Sequence, residues 1–149
     1  MSRAIDVSLD GVRIPIARER VAAIADGVLR AERVPNALLS VAFVTRTRIA
    51  ALNRAHLGHA GPTDVISFGF ARATDDDPVI GDIYICPDVA RASAAERGIG
   101  IREELARLVV HGTLHVLGYD HPESDARERS PMWKRQEALL ARLTRQPRT

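Results

Sequence analysis

Three of the five histidines in this 149-residue chain fall within one short segment, His111-Gly112-Thr113-Leu114-His115-Val116-Leu117-Gly118-Tyr119-Asp120-His121. On a helix, His111 and His115 are i, i+4, so both rings project from one face, one turn apart. Two ring nitrogens placed in this way reach a common ion at about 2.0–2.1 Å. Gly118 stands where a helix ends in a left-handed residue, and beyond that turn His121 can fold back with a third nitrogen. A lone histidine reads most simply as a hydrogen-bonded core or surface residue, whereas three at this spacing read as metal ligands. Three neutral nitrogens leave one tetrahedral position to water, the open coordination of a catalytic zinc. Water acidified to a pKa of about 7 by such an ion can attack a phosphodiester, an ester or a peptide.

The same spacing, glycine included, matches the zinc-protease pattern H-E-x-x-H-x-x-G-x-x-H. The departure is chemical: Gly112 stands where that class carries its glutamate base, and without a carboxylate there a peptidase has no proton acceptor. Glu104 lies two turns before His111 on nearly the same helix face. It is a candidate partner for the ligands, although a surface carboxylate is the simpler expectation.

These side chains must be held by a modest set of elements. Ala4–Leu9 alternates weakly and stops at Asp10-Gly11, a hairpin-type turn signal. Arg18–Arg33 has the spacing of a helix, with Val21, Ile24, Ala25, Val28 and Leu29 on one face, closed by Pro35-Asn36. Leu38–Val44 reads as a buried strand, and Thr45 as the cap of a helix reaching about Asn53 with Ile49 and Leu52 inward. Strands are expected at Thr63–Phe68 and Val79–Cys86, separated by the acidic turn Thr74–Pro78. Helices follow at Pro87–Arg97, closed by Gly98 and Gly100, at Ile101–Leu117, and at Asp125–Leu143. This order predicts one α+β domain over residues 1–149, a mixed sheet with helices packed on it. Its central helix carries the histidines in the manner of a zinc metalloprotease.

Composition narrows the class further. At 46% hydrophobic and 27% charged the chain has a globular composition, and with 4% aromatics its core must come from Ala, Val, Leu and Ile. Lys134 is its single lysine. The lone Cys86 excludes an internal disulfide, suits a reducing compartment, and in the run Ile83-Tyr84-Ile85 reads as a buried, inert thiol. The opening MSRAIDVSLDG reaches Asp6 before an apolar stretch develops, so no signal peptide is expected. No apolar run approaches the ~20 residues of a membrane span, and a cytoplasmic monomer is the expectation. Of the formal charge of +2, residues 127–149 hold +5 through Arg127, Arg129, Lys134, Arg135, Arg142, Arg145 and Arg148 against Glu128 and Glu137. Such a segment suits phosphate contact or, equally, a solvated helix face.

The histidine segment resembles the signature H-G-x-L-H-L-x-G-Y-D-H of the YbeY family, bacterial endoribonucleases also called rRNA maturation factors, with Val116 at a Leu position. Leu52-Asn53 is similar to that family's L-N, Pro62–Phe68 to its P-T-D-V-L-S-F, and Gly81–Ile85 to its G-D-I-x-I. Met132 stands where the family often has a methionine. The resemblance spans roughly residues 5–140. It implies an α+β sandwich, a zinc ion on His111, His115 and His121, and single-strand endoribonuclease activity. It further implies action on the 3′ end of small-subunit rRNA and in ribosome quality control.

Before P-T-D-V the family reads L-N-x-x-Y-R-x-K-D, and its Arg is thought to contact RNA phosphate. Leu57 stands at that Arg position and His59 at the Lys position. A leucine makes no phosphate contact of the kind a guanidinium makes. The substrate-binding charge is therefore expected from Arg54, three residues earlier, or from protonated His59. Two other classes stay open: a ribosome assembly factor with a structural or weakly active zinc site, and a small-substrate metallohydrolase.

Overall fold

Four strands alternate buried and open positions as a sheet with one well-covered face requires. In β2 (Asn36–Phe43), Ala37, Leu39, Val41 and Phe43 are buried, whereas Leu38 is half exposed. In β4 (Val79–Ile85) the buried set is Val79, Gly81, Ile83 and Ile85. β1 (Ser2–Leu9) and β3 (Val65–Gly69) complete the order β1-β2-β4-β3. The structure, a computed structural model, describes residues 1–120 and 130–145. His121, the expected helix start at Asp125, and the basic residues Arg127, Arg129 and Arg148 lie outside the described residues.

β1 pairs with β2, and β2 with β4, in parallel; only β3 runs antiparallel, to β4. Asp10-Gly11 therefore makes no hairpin. The chain leaves β1 and crosses over through helix α1 (Arg18–Ala31) to reach β2 from the same end. A turn dipeptide specifies a local change of direction; the apolar face of α1, which must be buried against the sheet, decides the crossover. That helix ends at the Glu32 cap, ahead of Pro35.

Thr45 caps α2 (Arg46–Leu52), its hydroxyl accepting the Arg48 backbone N–H at 3.2 Å. The chain then continues as one π-helical turn, Asn53–Leu57. After β4 come α3 (Pro87–Arg97), α4 (Ile101–Val116) and α5 (Pro131–Thr144). Ser130, in extended conformation, accepts the Trp133 N–H at 3.1 Å and so caps α5, with Pro131 at its first position. Ser-Pro is a strong start signal, and α5 takes it up at Pro131.

The main core lies between α1, α4 and one face of the sheet, joining Ile24 and Val28 to Val109 and Leu114 and to Val41 and Ile83. α2 covers a smaller cluster of Val44, Ile49, Leu52, Ile66 and Cys86, where the thiol is fully buried. Two glycines set the height of α4 above the sheet. A Cβ on Gly112 would stand 2.7 Å from Ile83 Cγ2, and one on Gly81 would stand 2.5 Å from Val116 Cγ1. Helix and strand touch more closely than side chains at these positions allow. Among the described residues, no helix is long and apolar enough to cross a membrane.

Candidate active site

α4 turns Val109, Val110, Gly112 and Leu114 into the core and leaves His111 and His115 half buried on its other side. Their ring centroids are 4.7 Å apart, with the planes at 76°. Both line a cleft of about 300 Å³, together with Thr63, Asp64 and Ser67 from the approach to β3 and from the strand itself, and Trp133 and Gln136 from α5. At the end of α4, Gly118 takes φ +102° and donates to the His115 carbonyl at 2.9 Å, and Tyr119 N–H donates to Leu114 at 3.1 Å. The Tyr119 hydroxyl donates to the Glu32 carboxylate, which also accepts from Arg135 at 2.7 Å and 2.9 Å. That hydrogen bond to Glu32 pushes the phenol above its usual value, with burial adding to it. The chain leaving the histidine helix is thereby tied to both α1 and α5.

A line of hydrogen bonds determines which nitrogen of His111 carries the proton. Arg107 can only donate, and it donates to Glu137 at 2.9 Å and 3.1 Å. The ionised Glu137 can only accept, so the 3.0 Å contact from Gln136 must come from the amide nitrogen. Gln136 Oε1 then faces His111 Nδ1 at 2.6 Å and accepts its proton. In the neutral ring the lone pair consequently resides on Nε2, the form a metal requires. Gln136 is fully buried, which gives this orientation a rigid support. The donor set therefore fits a borderline-soft divalent ion: two imidazoles on one helix face, one of them with its tautomer held by a buried amide.

Glu104 departs from expectation. It is only 2% exposed and lines the cleft, bonded to Arg107 at 3.0 Å. Arg107 also reaches Glu103 at 3.1 Å. Burial opposes the Arg107 charge, but the hydrogen bonds to Glu137, Glu104 and Glu103 outweigh it and hold the guanidinium more firmly protonated than an ordinary arginine. The i, i+3 and i, i+4 spacing of Glu104 and Glu103 to Arg107 was a readable signal for this cluster. Gln136 carried none.

Burial alone would raise the Glu137 carboxyl, yet the hydrogen bonds from Arg107 and Gln136 hold it below its ordinary 4.5. A depressed folded-state value means stabilisation that is complete above the ordinary value and lost as the pH falls through the folded one. Glu137→Gln is expected to lower stability by about 1–2 kcal/mol near neutrality, discounted for partial exposure. Urea unfolding of both proteins at about pH 7 and about pH 3 checks this: the gap should close in acid, and a constant gap would refute an ionic origin.

The segment before β3 distributes its residues unevenly. Leu57, half exposed, lines the cleft. Arg54 opens instead into a separate depression with Ala50, Ala51 and Gly61, and His59 is exposed and is not among the residues lining the cleft. The π turn is the physical reason, since its i→i+5 bonding widens the helix and parts residues that an α-helix would align. Buried Asn53 holds the loop beyond, donating to the Gly61 carbonyl at 3.0 Å. Among the described residues, the cations that line the cleft are Arg97 and Arg107.

Fold and cleft together define an α+β protein whose histidine-bearing central helix lies under an open, partly charged groove. The chain belongs to the YbeY family: the family model described as endoribonuclease YbeY matches residues 10–144. Proteins named endoribonuclease YbeY from Frankia casuarinae and Thermobifida fusca are 44% and 39% identical to it, over 82% and 93% of this chain. The match spans 65% of the length of the Frankia protein and 92% of the Thermobifida one. A solution structure of TM1509 from Thermotoga maritima superposes with a TM-score of 0.61 at 25% identity, covering 93% of this chain and 88% of that one.

Proposed function

We propose that this protein is a zinc-dependent endoribonuclease cutting single-stranded RNA, with the 3′ end of small-subunit rRNA as its natural substrate. The observation that carries the reading is the pair His111 and His115 in the cleft, with the His111 tautomer set by Gln136. Membership of a family described as endoribonucleases supports the reaction class. His111 and His115 would hold the ion, with His121 as the third ligand. When bound, zinc supplies Lewis acidity toward a phosphate oxygen and a water acidified towards neutrality.

The rest of the chemistry belongs to the chain. Gln136 keeps the His111 proton on Nδ1, and the Arg107–Glu137 pair keeps Gln136 from turning over. Peptide hydrolysis is disfavoured because Gly112 has no carboxylate and Ile83 leaves no room for one. Arg54 and His59, on the exposed segment leading to the rim, would meet phosphates farther along the strand. A single domain acting as a cytoplasmic monomer completes the reading.

The test is cleavage of a single-stranded small-subunit rRNA 3′ fragment by zinc-loaded protein. Chelation should abolish it, zinc should restore it, and the same fragment annealed to its complement should resist. Undiminished cleavage in chelator would overturn the zinc assignment.

A further inference from the structure

Leu57 leaves the cleft without the phosphate-binding cation expected at that position, and among the described residues two arginines line the groove elsewhere. Arg107 is committed: its side chain is 11% exposed and its guanidinium serves Glu103, Glu104 and Glu137 at 2.9–3.1 Å. Arg97 is differently placed. It ends α3, its side chain is 41% exposed, and among the described residues its one carboxylate contact, to Glu104, is long at 3.8 Å. Its guanidinium lies over the ring of Trp133, 5.7 Å from the centroid. Trp133 is half buried on the first turn of α5, three residues before Gln136, and lines the same cleft as the histidines.

A planar cation beside an indole offers what an unpaired nucleotide can use and a base-paired one cannot: a flat face for the base and a charged edge for the adjoining phosphate. We propose that Arg97 and Trp133 form the subsite that seats one nucleotide of the single-stranded substrate beside the histidines. Arg97 takes the phosphate contact that Leu57 cannot make. Trp133 takes the base. The proposal deepens the endoribonuclease reading and rests on it. A duplex presents its bases already stacked, so the same pair favours single strands.

Trp133 is the only tryptophan in the chain, so the protein's own emission reports on the stack. Titrating zinc-loaded protein with a single-stranded oligoribonucleotide should quench that emission, and the annealed duplex should leave it unchanged. Arg97→Gln should raise KM about tenfold at low salt, keep kcat within about twofold, and reduce the salt slope of log KM by about one. A merely structural arginine would not change the salt slope. Trp133→Leu should raise KM about five- to a hundredfold, with Trp133→Phe recovering most of the loss. Quenching with these shifts supports the subsite. Wild-type cleavage without quenching, or an Arg97→Gln protein with unaltered KM and slope, overturns it while leaving the endoribonuclease reading intact. A slope that moves in Arg54→Gln but not in Arg97→Gln overturns it in favour of the outer segment. Wild-type protein that neither binds nor cuts the single strand removes the reading and the subsite together.

Discussion

His115→Ala is expected to purify without zinc and to cut single-stranded RNA more than about a hundredfold more slowly than the wild type. Loss of a residue that merely orients a metal ligand already costs about 10- to 100-fold, and His115 would be a ligand itself. It shares one face of α4 with His111, at a ring separation of 4.7 Å, so the remaining imidazole of the described pair cannot take over its position. Metal binding also contributes to folding stability, because the unfolded chain has no preformed site. The variant should therefore melt at the temperature of the chelated wild type, and chelator should not lower it further. His56→Ala, altering an exposed histidine that packs edge-on against Phe68 outside the cleft, should keep its zinc and its rate. Zinc content, thermal unfolding and cleavage on the three proteins make the check. Full zinc occupancy in His115→Ala would eliminate this ligand set.

The second large effect concerns a residue with no side chain. In an isolated helix Gly→Ala is stabilising by about 1 kcal/mol, and Gly112 is in the interior of α4. Here the sign reverses. The new Cβ would meet Ile83 Cγ2 at 2.7 Å, and Ile83 is fully buried in β4, between β2 and β3. A β-branched side chain in that setting is restricted at χ1 and, fully buried, can yield little. Overpacking of this kind costs about 1–3 kcal/mol net. Gly112→Ala should lower the urea midpoint accordingly. Because His111 is the adjacent residue, RNA cleavage should fall as well as the helix lifts from the strand. Adding Ile83→Ala should recover part of the loss, an interaction absent if the two residues did not touch. A more stable Gly112→Ala protein would show that helix propensity, and not the helix–strand contact, governs the position.

How much of this could be read in advance depends on the distance over which each feature is encoded. The i, i+4 histidines, the Gly118 turn, the Thr45 cap and the buried Cys86 are local, and each follows from residues within a turn or two. Helix periodicity and strand alternation place most element boundaries for the same reason. Parallel pairing of β1 with β2 is not local, and the Asp10-Gly11 signal pointed to a hairpin that the α1 crossover replaces. The π turn that turns Leu57 toward the cleft and Arg54 away from it left no mark in propensity or pattern.

The amino-acid sequence by itself determined which helix could carry a metal, because ligand spacing on a helix is a property of 3.6-residue periodicity. It also determined that no protease base follows His111. Only the tertiary structure decided which His111 nitrogen carries the proton, since Gln136, 25 residues away, comes to it through the packing of α5 on α4. That packing also buries Glu104 and occupies Arg107 with Glu137, 30 residues distant, while it brings Trp133 under Arg97. Hydrogen-bond direction and charge compensation are set by which groups leave water together, and that depends on the assembled fold.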